Sequence, residues 1–198
     1  MSIRVKTVWF KKAGARPPEE VASVIASTIW RVADKAVTGL SKSDYDIITP
    51  DRGFRILGEI VAFLTHYADR QLHGRVPEEH RAAMLKSIGQ RLAEVMEQNI
   101  REVVGDDGFD YQSNFKSMLD RRGDDYATFA YPGGEPDFAA LRYLGNAIRE
   151  LMLASDQPWV VDQIMSIEAP EMLETVKRAV NGLLNPEPAK PKRSASPD

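Results

Sequence analysis

Residues 77–105 read PEEHRAAMLKSIGQRLAEVMEQNIREVVG. Met84, Leu85, Ile88, Leu92, Val95, Met96, Ile100 and Val103 recur every three or four positions, the spacing that gathers apolar side chains on one side of an α-helix. Pro77, Glu78 and Glu79 suit the first turn, where a missing N–H costs nothing and acids meet the positive end of the helix dipole. Gly105 to Gly108 stops the run. A stripe held over about five turns must be buried against other helices, so the segment predicts an all-α fold.

The same signals recur on both sides. Upstream, Pro17-Pro18 and Glu19-Glu20 open a helix with Val21, Val24, Ile25, Thr28, Ile29 and Val32 at helical spacing, and Gly39 is predicted to end it. Asp51 reads as the cap of a second helix reaching about His73 and stopped by Gly74, with Ile56, Ile60, Phe63, Leu64 and Tyr67 on its apolar face. Downstream, Phe109, Tyr111, Phe115, Met118 and Leu119 predict a short helix, broken at Arg121-Arg122-Gly123-Asp124-Asp125. Tyr126, Phe129 and Tyr131 then cluster before Pro132-Gly133-Gly134. A further long helix follows Pro136, with Phe138, Leu141, Leu144, Ile148, Leu151 and Met152 facing inward. Asp156-Gln157-Pro158 separates it from a short helix holding Trp159, and Pro170 starts the last helix. The expectation is a single helical bundle over residues 17–185, with four to five long helices and two short ones.

The ends differ in character. In residues 1–16, Ile3, Val5, Thr7 and Trp9 alternate with Arg4, Lys6, Val8 and Phe10 at the period of a strand, so they read as an extended basic arm, with no secretory signal. Residues 186–198 are rich in Pro, Lys and Ser without apolar periodicity and read as a disordered tail.

Composition narrows the function. The chain has 198 residues, 43% hydrophobic and 28% charged, enough for a real core. No stretch reaches the roughly 18 apolar residues of a membrane span. Cysteine is absent, which excludes disulfides, thiolate metal sites and a cysteine nucleophile. The formal charge of −3 is uneven: the arm carries Arg4, Lys6, Lys11, Lys12 and Arg16 and no acid, while the body is strongly acidic. An acidic body argues against nucleic acid as the main ligand, because phosphate contacts need clustered cations. The chain reads as cytoplasmic.

Two groups of residues carry candidate chemistry. Glu59, His66, Asp69 and His73 fall within an arc of roughly 80° on the second helix. Carboxylates and imidazoles are the ligands borderline metals use, and helical bundles place them on inward faces. However, His66 and His73 lie two turns apart, no Glu-x-x-His pair occurs, and the arc adjoins the apolar face where a solvated surface is expected. His80, at the start of the third helix, could join His73 across the connection, though a surface histidine is the simpler reading. Trp9, Phe10, Lys11 and Lys12 on the arm, with Arg121 and Arg122, are candidates for contact with a partner, since exposed aromatics and guanidinium forks suit protein recognition. Asp106-Asp107-Gly108-Phe109-Asp110 fails as a calcium loop: its sixth position from Asp106 is Tyr111 and its twelfth is Ser117.

No phosphate-binding glycine loop, nucleophile elbow or His-Glu-x-x-His motif occurs. The expectation is a non-catalytic protein-binding or adaptor domain without a cofactor, its partner another protein or a second copy in a homodimer. The alternative is a metal- or cofactor-binding bundle, a carrier or an enzyme, built on the His66 and His73 helix. A pocket for a small ligand near Tyr126 to Tyr143 is a third reading.

Overall fold

The computed structural model describes residues 17–47 and 49–185. The arm, with Trp9, Phe10, Lys11 and Lys12, and the tail 186–198 lie outside the described residues. Within them the protein is all-α, without a strand. The helices are α1 (Pro18–Lys42), α2 (Pro50–Leu72), α3 (Glu78–Val104), α4 (Tyr111–Ala127), α5 (Phe138–Arg149), α6 (Gln157–Gln163) and α7 (Ala169–Leu184), with a 3₁₀ turn at Pro132–Gly134. None of them is long and apolar enough to cross a membrane.

The middle of the bundle is α2. It packs against α1, α3, α4, α5 and α7, and from Ile56 to Leu72 only Thr65 and Arg70 are more than marginally accessible. The polar arc of this helix is therefore interior, contrary to the solvated face its pattern predicts. The reason lies in α4, which lies across α2 and α3 and covers that side. A single apolar core joins residues of all seven helices, with Ile25 and Ile29 of α1, Ile60 and Leu64 of α2, Ile88 and Leu92 of α3 and Val176 and Val180 of α7 fully buried.

Several boundaries depart from the sequence pattern for identifiable reasons. Gly39 sits inside α1, not at its end. A Cβ there would stand 3.1 Å from the Glu168 carboxylate, so the glycine serves a close helix approach. Thr49 caps α2 in place of Asp51, accepting from Arg52 N, with Pro50 in the first turn. The Arg121–Asp125 segment does not break α4, which Asp110 caps by accepting from Ser113 N at 2.9 Å and which continues to Ala127. Pro170 does not begin a separate helix: residues 157–184 form one helical run containing a π-turn at Ile164–Glu168. Ala169 N–H reaches Ile164 O across that turn, and the widening accommodates the proline ring and its missing donor. Val103 and Phe138, expected inside, are exposed, as is Trp159.

Candidate functional site

Helical geometry alone puts Glu59, His66 and Asp69 on one side of α2, and α4 and the Phe129–Glu135 segment turn that side into a buried polar seam. At one end Arg122 of α4 forks onto Glu59, Nε to Oε2 and Nη2 to Oε1, both at 2.7 Å. Two parallel bonds between a guanidinium and a carboxylate are the strongest form this pair takes. Arg122 Nη1 also donates to the Tyr143 hydroxyl at 2.9 Å and to Asp125 at 3.2 Å, and that hydroxyl donates to Asp125 at 2.6 Å. The bond from Tyr143, helped by Arg122, holds the Asp125 carboxyl below its usual range.

At the other end Asp69 accepts from both Arg70 and Arg81, and Arg81 also forks onto Glu78 at 2.6 and 2.9 Å. His66 lies between the two ion networks. Its ring stands 5.1 Å from that of Tyr131 and 6.0 Å from that of Tyr126, which itself packs on Phe63 and Tyr143. Burial, reinforced by the Arg70 charge, lowers the His66 pKa from 6.5 to about 4, so the imidazole is neutral. Burial raises both phenols well above their ordinary value. The loop that brings Tyr131 over α2 is pinned there: Gln71 donates to Gly134 O at 2.8 Å, while Tyr67 and Lys177 both donate to Glu135.

Two clefts open on opposite flanks of α4. The first, of about 550 Å³, lies between the start of α2, the end of α3 and one face of α4. Phe54, Met96, Ile100, Phe115 and Met118 give it an apolar floor, and Arg55 and Arg121 stand at its edge. Val104 and Tyr111 carry that floor outward to exposed Val103 and Phe109, whose ring meets Tyr111 at 4.8 Å. Arg101 fixes this corner by pairing with Glu97 and Asp106 and donating to Phe109 O at 2.9 Å, which accounts for the acidic, glycine-containing turn. The second cleft, of about 780 Å³, lies against the later half of α2, the first half of α3 and the other face of α4, with His66, Asp69, Arg70 and Arg81 on its wall.

The structure thus brings Glu59, His66 and Asp69 onto one seam but gives both carboxylates to arginines. His73, the C-cap of α2, is exposed, as is His80. Among the described residues no three His, Asp or Glu side chains are placed to hold a metal ion. The two arginines expected to act together divide their roles: Arg122 is committed to Glu59, whereas Arg121 is exposed and makes no hydrogen bond or ion pair among the described residues. The pattern of α2 gave no sign of Arg70 and Arg81 as partners of Asp69. Nor did it suggest the first cleft, because Val103 fits the α3 stripe as well as Val95 does. Comparison with protein-family models, with curated proteins and with solved structures returns no match to this chain.

Proposed function

We propose that the protein is a non-catalytic interaction domain that takes an amphipathic helix of another protein in the first cleft. The observation that carries this reading is the continuity of the cleft floor with an exposed apolar lip at Val103, Val104 and Phe109. An apolar groove bounded by charge is the geometry an amphipathic helix enters, and contiguous exposed apolar surface is costly to leave uncovered. Met96 and Met118 give the floor a side chain that adapts to its occupant. Arg121, uncommitted at the rim, favours a partner helix with a carboxylate on its flank. The arm residues Trp9, Phe10, Lys11 and Lys12 belong to the same reading as a second contact. Apart from Arg121, the charged groups lining the cleft pair with one another, Arg122 with Glu59 and Arg55 with Asp51, which supports binding over catalysis.

The test is photo-crosslinking in the producing cells, with a benzophenone amino acid in place of Val104 and, as control, of exposed Arg31 on α1. The expected result is a discrete adduct from position 104 only, whose peptide is an amphipathic helix with acids on one flank. The adduct should be lost when Arg121→Glu and Val103→Glu are added. A crosslink to a second copy of this chain, equal labelling from position 31, or no adduct at all contradicts the reading.

A further inference from the structure

We propose that the second cleft, beside His66, is a binding site for a small organic anion, a carboxylate or phosphate held by His66, Arg70, Tyr126 and Tyr131. Four buried polar atoms of the described residues lack a hydrogen-bond partner: His66 Nε2, Arg70 Nε and the hydroxyls of Tyr126 and Tyr131. They belong to one neighbourhood, since both tyrosine rings adjoin the imidazole and Arg70 follows His66 by one helical turn. Buried polar groups without partners are few in folded proteins, and four in one neighbourhood call for a common cause. Each can donate: the guanidinium N–H, two phenolic O–H groups, and the imidazole in the tautomer with its proton on Nε2. Groups able to donate, gathered without an acceptor, are the arrangement an oxyanion calls for.

The cleft supplies room and charge. His66 is nine-tenths buried, yet it forms part of the cleft wall. Arg70, Arg81, Lys86 and Lys116 line the same space. On that wall Arg70 and Arg81 are balanced by Asp69 and Glu78, which leaves Lys86 on α3 and Lys116 on α4 as the cations without an ion pair among the described residues, with Asp120 and Asp124 also on the α4 side. A volume of about 780 Å³ exceeds what a bare ion needs, and Leu85 and Leu119 offer apolar contact to the body of a small molecule. Tyr126 and Tyr131 adjoin the imidazole without lining the cleft, so their hydroxyls take part only for an anion that passes the cleft wall beside the ring. This site lies on the opposite flank of α4 from the helix groove and stands or falls independently of it.

The test uses long-range proton–nitrogen NMR of the three imidazoles in the full chain, with His66 assigned through His66→Gln. Sodium benzoate, phenyl phosphate and inorganic phosphate are titrated against sodium chloride at equal ionic strength. The expected result is a saturable displacement of the His66 resonance by at least one of the three anions, without a matching change at His73 or His80. Arg70→Gln and Tyr131→Phe should each weaken that titration at least tenfold. Tyr131→Phe removes only an unpartnered hydroxyl, so without ligand its thermal midpoint should be unchanged or raised, which separates a binding role from a structural one. If Arg70→Gln loses helical circular dichroism, Tyr131→Phe carries the comparison alone. No saturable His66 response to any of the anions, or equal affinity in the folded variants, overturns the proposal and assigns the four atoms to buried water.

Discussion

Glu59 shows how much a single interior charge depends on its partner. Its side chain is only 12% exposed, and Arg122 satisfies both oxygens. Removing one member of a buried pair leaves the other desolvated and uncompensated, a cost of several kcal/mol, reduced here because Arg122 is partly open to water. Arg122→Gln should therefore destabilise the protein by about 2–3 kcal/mol in urea unfolding. The double variant Arg122→Met with Glu59→Leu should recover most of that loss, as apolar replacement of a buried pair often does. His66 provides a second case, in which the sign can be worked out. Its pKa is about 4 in the folded chain and 6.5 in an open one, so between those values the unfolded state binds more protons. The stability His66 allows is fully present above pH 6.5 and is lost progressively as pH falls toward 4. Urea midpoints of the wild type should fall across that window more steeply than those of His66→Asn. The placement of Glu59, His66 and Asp69 on one arc was legible in the sequence, since it follows from 100° per residue. Their burial was not, because the partners that make it tolerable are remote: Arg122 is 63 positions from Glu59, and Arg81 is 12 from Asp69.

At the level of elements, existence and type follow from periodicity, and the misread ends trace to glycine and proline in unusual service. Gly123 looks like a helix stop between charges, yet α4 runs through it and a Cβ there would meet nothing within 4 Å. Glycine inside a helix costs roughly 0.5–1 kcal/mol relative to alanine. Gly123→Ala should therefore stabilise the protein by that amount, read as a rise in denaturant midpoint. Gly145 of α5 behaves oppositely: a Cβ would stand 3.0 Å from Val161 Cγ1 and 3.4 Å from its Cα. Gly145→Val should push α5 from α6 and cost about 1–3 kcal/mol, as overpacking does. The same two residues look alike in the sequence, and only the neighbouring helix separates them. Pro170 belongs here too, since the π-turn that absorbs it has no linear signature.

For the whole molecule, the fold class could be read from the stripes, because helices of this kind can bury them only against one another. Which helix occupies the centre could not, since α2 carries no more apolar residues than α1 or α3 and is buried through its contacts with five other helices. One core reaches all seven helices, so unfolding should be a single transition. Helical circular dichroism and tryptophan fluorescence should give coincident urea midpoints. Both proposed surfaces depend on α4 closing over the polar side of α2: the groove lies on one flank of that contact and the anion site on the other. The measurement that tests this arrangement most directly is the NMR pH titration of the His66 imidazole in the unliganded full chain. A pKa near 4 is expected, with a neutral ring throughout the physiological range. An ordinary value near 6.5 would contradict the account: it would mean that this side of α2 is open to water and that α4 does not cover it.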